Sequence, residues 1–281
     1  MKQIRFRLVS AVCLLISFFS QAQSDSSSAL DKTQFKLGIF YTSGLNYYGR
    51  TDSLQSSGAF PLAEWWLTKN FYINAAPVFV HNKIENLQYA GTVTTAGYQF
   101  NHKNKLAGNI YFAKPFYRNN SQLVQSALKE QFSTELTWLN KILDITMGAD
   151  LKHSDKTDYG VKAGLDHIFR LRLGRKTLLA AVPSVYLYVG TQQFTNTYYK
   201  KAGGFLLVPG SQQQVTDAFS RFSILSYEFS APVVLAKGKL QMLLTPAFVM
   251  PQNLLIITGH PELSEKGKNL FYVTTGVKFT F

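Results

Sequence analysis

Residues 271–281 alternate strictly: Phe271, Val273, Thr275, Val277, Phe279 and Phe281 on one side, Tyr272, Thr274, Gly276, Lys278 and Thr280 on the other. A two-residue period places the two sets on opposite faces of a β-strand. The same pattern sets Leu143, Ile145, Met147, Ala149 and Leu151 against Asp144, Thr146, Gly148 and Asp150. It sets Val161, Ala163 and Leu165 against Lys162, Gly164 and Asp166, and it opens with Phe35, Leu37, Ile39 and Tyr41 against Lys36, Gly38 and Thr42. The pattern predicts strands at 34–48, 60–68, 71–80, 91–101, 106–117, 127–138, 142–151, 158–173, 177–189, 221–235, 240–250 and 271–281. Very short turns fall at Lys69-Asn70, 102–105, Asn140-Lys141, 174–176 and 237–239. The connections near 49–59, 81–90, 118–126, 152–157, 190–219 and 252–269 are longer. Five turns and six loops join twelve strands and leave both ends of the strand-forming segment on the short-turn side.

The N-terminus reads as a processing segment. Lys2, Arg5 and Arg7 precede an apolar run from Leu8 to Phe19, and Ser20-Gln-Ala22 offers a cleavage site. That run is shorter than the roughly 20 residues a spanning helix needs. The expected organisation is a signal peptide at 1–22, a polar leader at 23–33 and a β-domain at 34–281. The single cysteine, Cys13, lies within the apolar run, so the mature chain carries no disulfide framework.

The formal charge of +13 becomes +10 without Lys2, Arg5 and Arg7. Eight further basic residues sit in the short turns (Lys69, Lys103, Lys105, Lys141, Arg175, Lys176, Lys237, Lys239), leaving about +2 elsewhere. The basic balance therefore describes one rim and gives no nucleic-acid surface. A mean hydropathy of −0.04 with 22 Phe and 15 Tyr suits strands that show one face to lipid and the other to a lumen.

The last eleven residues resemble the C-terminal signal strand of Gram-negative outer-membrane β-barrels, which ends in Phe with apolar residues at alternate positions before it. The whole mature chain is similar in style to barrels of Bacteroidota that carry no assigned function. The resemblance implies an all-β fold: a closed antiparallel transmembrane β-barrel of about twelve strands in the cell outer membrane, preceded by a cleaved signal peptide. It implies that Phe271, Val273, Val277, Phe279 and Phe281 form the insertion signal read by the barrel-assembly machinery, and that the partner outside the barrel is outer-membrane lipid.

Trp65, Trp66, Phe71, Tyr72, Trp138, Tyr47, Tyr48, Tyr117, Tyr186 and Tyr188 lie near strand ends, where interfacial girdles are expected. Pro77, Pro115, Pro183, Pro232 and Pro246 fall within predicted strands and demand bulges or strand ends. With the apolar faces toward lipid, the lumen is expected to hold Lys36, Glu64, Lys129, Glu135, Asp144, Asp150, Lys162, Asp166, Arg170, Arg172, Glu228 and Lys278. Six positive and six negative charges speak against a strongly ion-selective lining. They read either as an interior ion-pair network or as a solute-contact ladder.

Chemistry was sought on this map. Twelve-stranded barrels include an outer-membrane phospholipase with Ser, His and Asn on its lipid-facing wall. The local match here, His153-Ser154 beside Asp155, places neighbours on opposite faces and lacks the mutual reach a nucleophile and base need. No spacing suggests a metal site or a phosphate loop, so neither enzyme activity nor a cofactor is expected. The leading expectation is a passive channel or uptake pore for small polar solutes. The alternatives are a structural, assembly or secretion-associated component with a closed lumen and, third, a lipid-modifying enzyme. The loop at 190–219, with Phe205 to Val208 in a polar context, is expected to plug the lumen, cap the mouth or bind a partner.

Overall fold

The structure is a computed structural model that describes residues 33–51, 55–84, 86–118, 128–193, 220–254, 256, 264–265 and 267–281. The expected signal peptide, nearly all of the leader and most of the 190–219 loop lie outside them.

Seventeen strands are described: β1 (Gln34–Thr42), β2 (Asn46–Tyr47), β3 (Arg50–Thr51), β4 (Ser57–Trp66), β5 (Phe71–His81), β6 (Gln88–His102), β7 (Leu106–Tyr117), β8 (Glu130–Trp138), β9 (Asp144–His153), β10 (Thr157–Asp166), β11 (Phe169–Gly174), β12 (Thr177–Ala181), β13 (Ser184–Gly190), β14 (Ser223–Ser230), β15 (Val233–Lys237), β16 (Leu240–Pro251) and β17 (Leu270–Thr280). A ring of twelve closes the wall in the order β1, β4, β5, β6, β7, β8, β9, β10, β13, β14, β16, β17, all antiparallel, with β17 pairing β1 again. Closure gives each wall strand two neighbours, as a span through hydrocarbon requires. β11, β12 and β15 continue β10, β13 and β14 toward the short-turn end, and β2–β3 is a separate hairpin.

Burial follows the alternation. Phe35, Leu37, Ile39, Trp65, Trp138, Met147, Val161, Met242 and Leu244 lie exposed on the outer face, while Lys36, Phe40, Glu64, Tyr72 and Asp144 are buried inside. Phe271, Val277, Phe279 and Phe281 point outward, and Val273 shares their face. The outer face is therefore an apolar belt, with Trp65, Phe71 and Trp138 at the height of the short turns. The girdle expected from the sequence is only partly there. Trp66, Tyr72, Tyr47, Tyr48, Tyr186 and Tyr188 are buried in the interior, because each carries the inward parity of its segment or lies on the inward-folded hairpin.

The prolines are absorbed in two ways. The β4–β5 ladder pairs Ala59 with Phe79 and Ala63 with Ala75 and skips the residues between. Pro61 and Pro77 lie opposite each other in that gap, so two missing donors coincide at one break in the ladder. On the far wall a seam crosses four neighbouring strands where β10 gives way to β11, β12 to β13 and β14 to β15. Along it His167 N–H donates to Pro183 O at 3.2 Å, Val182 N–H to Pro232 O at 2.8 Å and Ala231 N–H to Pro246 O at 3.0 Å. Pro183 and Pro232 sit in breaks as expected. Pro77, Pro115 and Pro246 lie within continuous strands.

Candidate functional site: the lumen and its plug

The interior is built from the inward position of every second residue, and cross-strand register decides which of these meet. At the short-turn end Lys36 lies opposite Glu64 in the β1–β4 ladder, and Gly38 lies opposite Lys278 in β1–β17. Gly38 has no side chain, so Lys278 reaches past it. The Glu64 carboxylate is 3.5 Å from Lys36 Nζ and 3.6 Å from Lys278 Nζ, and it accepts from Trp66 Nε1 at 2.7 Å. Lys36 Nζ also stands 4.5 Å from the Trp66 ring centroid. Two ammonium groups thus share one buried carboxylate.

From this triad a polar row climbs the wall. Glu64 pairs with Asn74, Asn74 with Thr95, Thr95 with Ala113, Ala113 with Gln131, Gln131 with Lys152 and Lys152 with Asp158. The row begins near the short-turn end of β1 and ends at the long-loop ends of β9 and β10, because tilted strands turn a perpendicular row into a spiral. A second row runs from Gln99 through Asn109, Glu135, Gly148, Lys162 and Tyr188 to Ser226. On the two rows Asn74 Nδ2, Thr95 Oγ1, Gln99 Nε2, Gln131 Oε1, Tyr188 OH and Ser226 Oγ are buried with no hydrogen-bond partner in the protein. Buried polar groups of this kind require water or a polar solute.

Between and beyond the rows lie the charges. Lys162 is ion-paired with Glu135 and Lys152 with Asp150. Asp166 accepts from Thr146 Oγ1 at 3.2 Å and Tyr186 OH at 3.1 Å, while Asp144 accepts from the Asn140 N–H at 2.6 Å. Tyr186 lies flat on Gly164, where an added Cβ would come 2.2 Å from the ring, so only glycine admits this ring. Glu228 is buried opposite Tyr186 on β14. The inner side of the β1–β7 wall carries an apolar cluster including Phe40, Phe60, Leu62, Tyr72, Val78 and Val93.

The long-loop end is covered by the first loop. After Thr42 the chain turns inward and buries Leu45, Asn46, Tyr47, Tyr48 and Arg50. Gly49 has φ of +75°, and a Cβ there would stand 2.7 Å from Pro251, so the β2–β3 turn needs glycine on both counts. Arg50 is 1 % exposed. Its Nε donates to both Glu265 carboxylate oxygens at 3.2 Å, Nη1 to Leu225 O at 3.0 Å and Nη2 to Gln252 O at 3.1 Å. One guanidinium therefore clips the first loop to β14 and to the last loop. Below it, Tyr48 meets the top of both polar rows: Lys152 Nζ donates to Tyr48 OH at 3.1 Å, and the Tyr48 and Tyr188 rings lie 5.0 Å apart. Burial raises the Tyr48 phenol above its ordinary range against the opposing pull of Lys152, so the ring keeps its proton.

Of the charges expected inside, Lys36, Glu64, Glu135, Asp144, Asp150, Lys162, Asp166, Glu228 and Lys278 occupy inward positions. Lys129, Arg170 and Arg172 do not. Lys129 is 56 % exposed at the long-loop rim, 3.2 Å from Asp155. Arg170 and Arg172 are exposed on β11, below the closed ring. Lys152 and Asp158 also point inward: Lys152 lies one residue beyond the predicted strand 142–151, and Asp158 opens the predicted strand 158–173 with the parity of Lys162. His153, Ser154 and Asp155 turn to different partners, Thr157, Lys156 O and Lys129 respectively, and form no relay. No group of three metal-ligating side chains occurs among the described residues.

A closed ring, an apolar belt and a polar lumen define the chain as a transmembrane β-barrel. No family model and no curated relative matches it. Solved structures do: a KdgM porin (7 % identity, 88 % of this chain, 99 % of that one, TM-score 0.48), LpxR from Salmonella typhimurium (8 %, 87 %, 99 %, 0.43) and the COG4313 outer membrane channel from Pseudomonas putida F1 (11 %, 92 %, 98 %, 0.44). At such identities and scores the likeness carries no argument about function, which has to be argued from this lumen.

Proposed function

We propose that the protein is an outer-membrane channel for small polar solutes, with the first loop occluding its mouth in this conformation. The observation that carries the reading is the pair of mostly polar inward rows, interrupted at Ala113 and Gly148, along which six amide and hydroxyl groups are buried with no partner in the protein and call for water. Among the described residues the lumen holds seven carboxylates (Glu64, Glu135, Asp144, Asp150, Asp158, Asp166, Glu228) and four ammonium groups (Lys36, Lys152, Lys162, Lys278). With Lys129, Arg170 and Arg172 outside it, the lining favours cations over anions. Insertion by the barrel-assembly machinery through the β17 strand belongs to the same reading. Liposome swelling with neutral, cationic and anionic solutes of equal size tests it. Uptake in the order cation, neutral, anion is expected, and equal exclusion of all three by both the wild type and a variant lacking residues 44–51 would contradict it.

A second reading, a structural component with a closed lumen, has one observation in its favour: the buried Phe40, Phe60, Trp66 and Tyr72 cluster, which narrows the bore on one side. Lipid modification finds no support in the placement of His153, Ser154 and Asp155.

A further inference from the structure

Tyr48 stands at a position that suits few tyrosines. The β2–β3 hairpin pairs Tyr47 with Arg50 and turns on the two residues between them, Tyr48 with φ of +53° and Gly49 with φ of +75°. Two-residue hairpin turns with positive φ at both central positions favour Asn or Asp followed by Gly. A bulky side chain in the left-handed region is strained, and such strain persists only where the surroundings hold it.

The barrel wall supplies that hold. Lys152 Nζ donates to the Tyr48 phenol oxygen at 3.1 Å and stands 5.5 Å from the ring centroid. The Tyr188 ring lies 5.0 Å from the Tyr48 ring, tilted by 44°. All three side chains are buried. Wall and tip thus meet as receptor and ligand, with one aromatic face for a ring and one ammonium for its hydroxyl. The receptor also has capacity to spare. Across the ladders Lys152 is paired with Gln131 and Tyr188 with Ser226. Gln131 Oε1, Tyr188 OH and Ser226 Oγ are buried with no hydrogen-bond partner among the described residues, so the tip satisfies none of them. A free solute can bring polar groups that a single tethered side chain does not.

We propose that Tyr48 is a tethered stand-in for the solute, and that the subsite of Lys152 and Tyr188 takes a small phenol, which displaces the hairpin tip. This rests on the reading of the lumen as a solute path and names the class of solute. The phenol binds only when the tip is out, so it draws the barrel toward the open-mouthed state. An ammonium group elsewhere on the phenol suits the carboxylate excess of the lining.

The test compares tyramine with phenethylamine, which lacks only the hydroxyl, on the full-length protein in detergent micelles. Calorimetry reads binding whether or not the barrel conducts, so a failed channel and a failed site give different results. Hydrogen exchange by mass spectrometry reads release of residues 44–51. In the wild type, saturating tyramine is expected to speed that exchange at least tenfold, and phenethylamine to leave it unchanged. Tyr48→Gly, which relieves the turn and empties the subsite, is expected to bind tyramine at least tenfold more tightly than the wild type does. If Tyr48→Gly fails to fold by heat-modifiable migration, Arg50→Ala, which frees the same hairpin, carries the same expectation. Asp150→Asn with Lys152→Met removes the ion pair without leaving a lone buried charge and is expected to abolish the preference for tyramine. Equal binding of the two amines, or no gain in the folded variant, would overturn the proposal. Binding to Tyr48→Gly without hairpin release in the wild type would overturn it too, as the filling of an engineered void.

Discussion

Arg50 and Glu64 show how single residues hold this interior in place. The Arg50 fork collects acceptors from three segments far apart in sequence, so its loss removes the donor that ties the Glu265 carboxylate to the Leu225 and Gln252 carbonyls. Breaking such a pair costs about 3 kcal/mol or more. Because the barrel ladders do not depend on it, the cost should fall on the plug. Arg50→Ala is expected to retain heat-modifiable migration while amides of residues 44–51 exchange at least tenfold faster; unchanged exchange there would show that the latch holds nothing. Glu64 differs, since among the described residues its carboxylate stands between Lys36 and Lys278. Glu64→Gln places two buried ammonium groups around a neutral amide and should lower barrel stability by about 3 kcal/mol. The double variant with Lys36→Met should recover part of it, read by the urea midpoint of tryptophan fluorescence.

At the scale of the strand, β17 pairs β1 on one side and β16 on the other, so it closes the ring; its outward Phe279 and Phe281 meet edge to face, and Phe281 packs against Phe35. Replacing Phe279 and Phe281 by Ser is expected to reduce membrane-inserted, heat-modifiable protein severalfold in cell fractions; unchanged levels would make this an ordinary last strand. Alternation made the strands and their faces legible in the sequence, because one inward and one outward residue per pair is all a barrel wall demands. Height along the axis leaves no such mark. Arg170 and Arg172 have the inward parity but lie below the ring, Lys129 lies at the opposite rim, and Lys152 was lost to a strand end drawn one residue short, while Asp158 stood at the first position of its predicted strand. The plug was illegible for a related reason: Leu45 and Tyr47 continue the alternation of β1, so the pattern ran on to residue 48 where the chain turns into the lumen. Pro61 and Pro77 fall opposite each other through register, which no single strand reveals.

Across the whole molecule, strand tilt converts rows of cross-strand neighbours into spirals, and two of these are mostly polar between the two ends of the barrel. The carboxylate excess on β8 to β14 sets the sign of selectivity. Carboxylates lose their charge on acidification, whereas ammonium groups keep theirs. Cation preference should therefore shrink as pH falls and give way to anion preference, read as a change of sign in the reversal potential across a salt gradient.

The most direct test of the account is single-channel recording in a planar bilayer at neutral pH, with wild type and Arg50→Ala side by side. The account predicts small, infrequent openings for the wild type, and for the variant frequent openings several times more conductive with a cation-selective reversal potential. A folded Arg50→Ala barrel that inserts and never opens would contradict it, as would one that opens with anion selectivity.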